Sequence, residues 1–410
     1  MINKVKLHNG LSIVSYYDPN AKTVTLSFTV NVGSHSEKED NYGIAHFTEH
    51  MLFKGTTHMN SQQISESIEG IGGILNAETT FEYTRYYCTV PAECWEDGLN
   101  VLFDMLVFNT IPEEEFECEK QVVLEELKMY DDEASSKIFD LLFKQLHPNY
   151  LNRQLIGGTV ESVSKITRQQ MLDFIEKYYT FNNITLIATG NIEHTKLTET
   201  LNKITENIEL RISNLDKETS TFQPDKLGQK DLIEKKEIAQ SHLSWGIFGP
   251  KPTEQDYATG EVISTLLGGN SSSRLYQIIR EKKGLAYSVS MDIEPFTDTS
   301  IFCGYVGLDG NNIKGVKKVI LEELNKLKTT LVDENELKRV KAYIKGTTLI
   351  GQETTSGKAS FINNAITTGV DTDIEKFLES VDLVTNEAIK NFAEKYFTDD
   401  NICFVQIIPK

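Results

Sequence analysis

Apolar and polar residues follow two periods along this chain. The segments LSIVSYY at 11–17 and TVTLSFTVNVG at 23–33 alternate or run apolar as strands do, and the DPNAK turn between them predicts a pair. TRYYCTVP at 84–91 and NITLIATGNI at 183–192 read as further strands. Helical spacing predicts helices across 43–54, from Ser61 through SQQISESIEGIGG with its Gly-rich end, at 93–109 and at 113–132. Strands, then helices, then strands again predict an α+β fold, with helices on one face of a mainly antiparallel sheet.

The pattern then repeats. EKYYTFNNITLIATGN at 176–191 returns as EKYFTDDNICFVQIIP at 394–409, and LSFTVNVG at 26–33 returns as LSWGIFGP at 243–250. The offsets, 218 and 217 residues, agree, so the second half retraces the first. Two homologous domains are expected, 1–210 and 239–410, joined through a polar linker at 211–238 within the charged stretch 206–238.

Composition narrows the partners. The 410 residues are 39% hydrophobic and 25% charged, an ordinary globular mixture long enough for two cores. With 41 basic against 60 acidic residues the formal charge is −19, which argues against a nucleic acid or an anionic membrane as partner. No apolar run reaches membrane-spanning length, and the first residues show no leader-like apolar region. Five cysteines, odd in number and without CxxC spacing, point to a reducing compartment. A cytoplasmic location is therefore expected.

The sharpest chemical signal is His46-Phe47-Thr48-Glu49-His50. On a helix His46 and His50 share a face one turn apart and can reach one cation, while Glu49 adjoins them. The order H-x-x-E-H inverts the commoner H-E-x-x-H of zinc peptidases. Two ligands make a poor zinc site. On the helix expected at 113–132, Glu119 and Glu126 lie two turns apart on one stripe, with Val122, Val123 and Leu127 on the buried side. A carboxylate on such a helix is costly to bury unless it meets a cation.

HFTEHMLFKGT at 46–56, followed by EKQVVLEELKMYDD from Glu119, resembles the pitrilysin/insulinase family of zinc metallopeptidases, in particular its short, mitochondrial-processing-peptidase-like bacterial members. That resemblance implies one zinc ion per chain, held by His46, His50 and Glu126, with Glu49 activating water and Glu119 supporting the site. Glu125 is the adjacent alternative but points about 100° away on the helix. GGILNAETTFEYTRYYCTVP at 72–91 is similar to the family's cleft strand, which implies that Asn76, Ala77 and Glu78 line the substrate. SSRLYQIIREKKGLAYSVS at 272–290 is similar to the segment whose arginine and tyrosine reach substrate, here Arg280 and Tyr287. The segment Asn152-Arg153-Gln154-Leu155-Ile156-Gly157 departs from the family's usual turn.

Shifted by 217 residues, His46, Glu49 and His50 fall on Ile263, Leu266 and Leu267, so only the first half is expected to carry metal. Gly268-Gly269-Asn270-Ser271 lacks the Lys-Ser/Thr of a phosphate loop, and His147 reads as a loop residue. The expected activity is hydrolysis of extended peptides or unfolded polypeptide. Because one chain holds both the zinc motif and the Arg/Tyr segment, the resemblance implies a homodimer. The competing reading is a non-catalytic peptide-binding or assembly subunit of the same fold.

Overall fold

The computed structural model describes residues 2–146, 155–206, 208 and 230–410. His147, the segment 152–154 of the departure noted above and positions 211–229 of the expected linker lie outside the described residues.

Eleven strands among the described residues form two sheets. The first comprises β1 (Ile2–Lys6), β2 (Ser12–Tyr17), β3 (Thr23–Val30), β4 (Ile74–Thr79), β5 (Thr84–Pro91) and β6 (Ile184–Gly190), in the order β1-β2-β6-β3-β5-β4. The second comprises β7 (Asp231–Lys236), β8 (Ser241–Gly249), β9 (Ala286–Pro295), β10 (Ser300–Leu308) and β11 (Ile402–Pro409), in the order β7-β11-β8-β10-β9. Both are antiparallel except for one parallel pair each, β2 with β6 and β7 with β11. The recurring sequence segments form neighbouring antiparallel strands in each sheet, β3 beside β6 and β8 beside β11.

The hairpin expected from DPNAK does not form. β2 and β3 are separated by β6, which pairs Val14 with Ile187 on one side and Leu26 with Ala188 on the other. A turn signal is local; the strand that intervenes comes from far along the chain.

The helices are α1 (Ile44–Leu52), α2 (Ser61–Glu69), α3 (Trp95–Val107), α4 (Glu113–Asp132), α5 (Ala134–Leu146), α6 (Val160–Lys165), α7 (Arg168–Tyr178), α8 (His194–Thr205), α9 (Tyr257–Leu267), α10 (Ile313–Thr329), α11 (Glu334–Gly351), α12 (Thr355–Thr368), α13 (Ile374–Asp382) and α14 (Asn386–Tyr396). Tyr276–Lys282 forms a π-helical turn. None of the described helices is long and apolar enough to cross a membrane. All five cysteines are free thiols.

Two compact units result. One gathers the described residues within Met1–Lys128, Gln154–Thr219 and Gly351–Thr367; the other those within Met129–Arg153, Ser220–Ile350 and Thr368–Lys410. In the first, Val24, Leu26, Phe28 and Val30 of β3 join the core under α1, α2 and α3. The alternate residues Thr25, Ser27 and Thr29 are also buried, because α12 covers that face. Thr25 Oγ1 meets Thr355 Oγ1 at 2.9 Å, Thr29 donates to Asn363 Oδ1 at 2.6 Å, and Thr189 donates to the Thr355 carbonyl at 2.7 Å. Helices thus cover both faces, not one. The hydroxyls of Thr25 and Thr29 bond to that helix, as buried polar groups must.

In the second unit Leu243, Trp245 and Ile247 of β8 face the core built with α9, α10 and α14. The opposite face of β8 and β11 is covered by α5.

Candidate metal centre

α1 is nine residues long, and Ile44, Ala45, Phe47, Thr48, Met51 and Leu52 are buried. His46, Glu49 and His50 occupy the remaining half-buried stripe. The helix starts at Gly43, whose φ of 92° suits glycine. Its free N–H groups are met from outside: Glu37 accepts from Gly43 N at 2.8 Å and Ala45 N at 2.9 Å. Gly157 packs so closely that a Cβ there would lie 2.7 Å from Leu127 Cδ2 and 3.6 Å from His46 Nδ1.

α4 brings the distant carboxylates. Its residues Phe116, Val123, Leu124 and Leu127 are buried, which turns Glu119 and Glu126 towards α1. His46 Nε2 and His50 Nε2 lie 3.3 Å apart, His50 Nε2 lies 3.3 Å from Glu126 Oε2, and His46 Nε2 lies 4.0 Å from Glu126 Oε1. One donor atom from each residue falls within 4.8 Å of the others. Three atoms bound to one tetrahedral zinc at about 2.0–2.1 Å are about 3.4 Å apart. The donor set and spacing fit zinc. His46 Nδ1 is buried with no hydrogen-bond partner among the described residues.

Behind His50, Glu119 Oε1 meets Nδ1 at 2.9 Å while Lys54 Nζ holds Glu119 Oε2 at 2.6 Å. A proton kept on Nδ1 leaves the Nε2 lone pair for a metal. Burial disfavours the charged His50, but Glu119 and Glu126 outweigh it and raise its pKa to about 9. His46 moves the other way, to about 4, through burial and then the charge of His50. Burial opposes ionisation of Glu119 too, yet His50 and Lys54 hold its pKa below the usual carboxylate range.

Glu49 lies beside this cluster. Burial raises its pKa, and the Thr79 hydroxyl, which donates to its Oε2, works against that rise. Thr79 belongs to β4, the edge strand of the first sheet. Ala77 shares its face. Asn76 is exposed, and its Oδ1 accepts from the Ala77 N–H at 2.9 Å. Glu78 points to the other face, where Arg85 Nε lies 3.1 Å from its Oε1 and the Tyr83 hydroxyl donates to it at 3.1 Å.

The fold therefore brings His46, Glu49, His50, Glu119 and Glu126 together. Glu125 pairs with Lys128 instead, at 2.6 Å. Arg280 and Tyr287 lie in the second unit, near each other, the guanidinium carbon 4.8 Å from the Tyr287 ring centroid and 4.9 Å from that of Tyr276. Tyr287 is 75% exposed. Ile263, Leu266 and Leu267 are buried on α9. Sequence reasoning missed Thr79, Lys54 and Glu37. Thr79 alone carried a signal, being two residues beyond Ala77 and so on the same side of a strand.

The insulinase (peptidase family M16) profile matches residues 12–159, and that of the peptidase M16 inactive domain matches 165–344. An uncharacterized zinc protease of Bacillus subtilis (strain 168) is 32% identical over 401 residues, covering 98% of this chain and 97% of its own. The mitochondrial-processing peptidase subunit beta of Neurospora crassa is 28% identical over 412 residues, covering 97% and 85%. Among solved structures, a protease from Helicobacter pylori superposes with a TM-score of 0.90 over 100% of this chain and 99% of its own, at 23% identity, a likeness of fold.

Two outcomes follow from the geometry. Glu119→Gln should weaken zinc binding by about 10–100-fold in a chelator competition, because the His50 ring loses its charged anchor; unaltered affinity would remove Glu119 from the site. Burial raises the Glu37 pKa from 4.5 to about 8, against the opposing pull of the Gly43 and Ala45 N–H groups. A carboxyl protonated more readily when folded stabilises the fold fully below about pH 4.5, and that contribution is lost as pH rises towards 8. The stability of wild type relative to Glu37→Gln should accordingly fall across that interval in denaturant titrations; a constant difference would refute the assignment.

Proposed function

The chain belongs to the pitrilysin/insulinase (M16) family of peptidases, and on that premise we propose that it is a zinc-dependent metallopeptidase hydrolysing extended peptides. The observation that carries this reading is the convergence of His46 Nε2, His50 Nε2 and a Glu126 oxygen beside the Glu49 carboxylate. A zinc ion held by His46, His50 and Glu126 would supply Lewis acidity, making water a competent nucleophile near neutral pH and polarising the scissile carbonyl.

Glu49 takes the proton from the attacking water and returns it to the leaving amine. Its raised pKa suits both halves of that task. Thr79 keeps the carboxylate aimed while leaving its other oxygen available. Arg280 and Tyr287 are the proposed hydrogen-bond donors to the substrate carbonyl, as their matching segment implies.

β4 is the proposed docking edge. A peptide in extended form adds a strand there through backbone bonds, after displacing the Asn76 side chain from the Ala77 N–H. Such bonds are largely indifferent to sequence, so a broad peptidase is expected. Glu78 contributes backbone, since Arg85 already answers its charge. A homodimer with one zinc ion per chain is proposed because each chain carries both the ligand set and the Arg/Tyr segment. The five free thiols support a reducing, cytoplasmic setting.

Metal analysis of the purified protein, paired with cleavage of a quenched fluorescent peptide, tests the assignment. Glu49→Gln should retain zinc and lose about 10²–10⁴-fold in turnover; near-normal cleavage by that variant would eliminate the mechanism. Tyr287→Phe should lower kcat without changing zinc content, and unaltered kinetics would take Tyr287 out of the reaction.

A further inference from the structure

The second unit contains a cavity of about 640 Å³, a size typical of small-molecule sites, between the π-helical turn and helices α10 and α11. Four cations line it: Arg274, Lys282, Lys326 and Arg339. Only two carboxylates answer them, Glu323 and Glu336, and both are already engaged. The Arg274 guanidinium grips Glu336 twice, Nε to Oε1 at 3.0 Å and Nη2 to Oε2 at 2.6 Å. Glu323, nearly fully buried, pairs with Lys326 and lies 3.6 Å from Arg274 Nη1.

That leaves Lys282 and Arg339 with no anionic partner among the described residues. The imbalance occurs in a chain whose formal charge is −19, with 60 acidic residues against 41 basic ones. Ser272 and Thr330 also line it, the Ser272 hydroxyl donating to Asn270 Oδ1 at 2.7 Å. Lys282 ends the π-helical turn Tyr276–Lys282, a conformation that is rare and recurs at functional sites. We propose that this cavity is a binding site for small multivalent phosphate anions, held by Lys282 and Arg339 and backed by the Arg274–Glu323–Glu336 lattice. Arginine suits the phosphate oxygens with paired donors, and lysine adds a point charge.

The site involves no catalysis, so it stands or falls independently of the peptidase reading. Isothermal calorimetry of the full chain with sodium tripolyphosphate at low ionic strength should show saturable binding that weakens as sodium chloride is added. The double exchange Lys282→Ala/Arg339→Ala should weaken it by about tenfold or more, as expected for losing two charged donors. Both side chains are exposed, so the fold should hold, and circular dichroism verifies it. Should the double variant unfold, the single exchanges Lys282→Gln and Arg339→Gln supply the same readout. Lys338→Ala, an exposed neighbour on α11 outside the cavity, should bind as wild type does. Adenosine triphosphate distinguishes the source of the phosphate: equal affinity supports recognition of the phosphate chain alone, and tighter binding supports a nucleotide ligand. Absence of saturable binding at millimolar tripolyphosphate would overturn the proposal. So would full binding by the double variant, which would locate the anion at the metal centre, or an equal loss in Lys338→Ala.

Discussion

A helix of nine residues must be anchored firmly on one side while the other keeps imidazoles and a carboxylate in reach of solvent. Alone, α1 is too short to persist in water. Its apolar stripe is held by the core of the first sheet, and the Glu37 carboxylate meets its open amide end. Every other element of the site is arranged around that seat. α4 delivers Glu126 and Glu119 against it, Lys54 follows just after its C-terminal cap Phe53, and β4 reaches it through Thr79.

The second half shows what the same frame does without this demand. Strand order around the repeated segments is kept, including the single parallel pair, yet α9 presents Ile263, Leu266 and Leu267 to a closed apolar core. The architecture is therefore stable without metal chemistry. His46 and His50 distinguish the first half, and burial of α1 tolerates them because they lie off its apolar stripe.

Much of this was legible beforehand. The inverted motif, the two-turn spacing of Glu119 and Glu126 and the burial of Val123 and Leu127 beside them follow the helical period, whereas Val122, expected on the same buried side, is exposed because it lies off the stripe that meets the core. β2, β3, β5 and β6 were readable from their own apolar pattern, and the repeat extended that reading to β8 and β11. What escaped notice is what periodicity cannot encode. β6 enters between β2 and β3 from far downstream, and the hydroxyl face of β3 gave no hint that α12 would cover it. Lys54 acts through Glu119 across the fold and Glu37 through the amide end of α1, and nothing in their local sequence separates them from ordinary polar residues.

The placement of α5 and α12 bears on how such a chain arose. Each helix completes the unit whose sheet is drawn mainly from the opposite half of the sequence. An ancestor of half this length that traded one helix with an identical twin would show the same arrangement, and fusing the two genes would make the trade permanent. Once fused, each copy relies on its sibling for a missing piece. One copy could then shed its reactive side chains while still being retained as scaffolding.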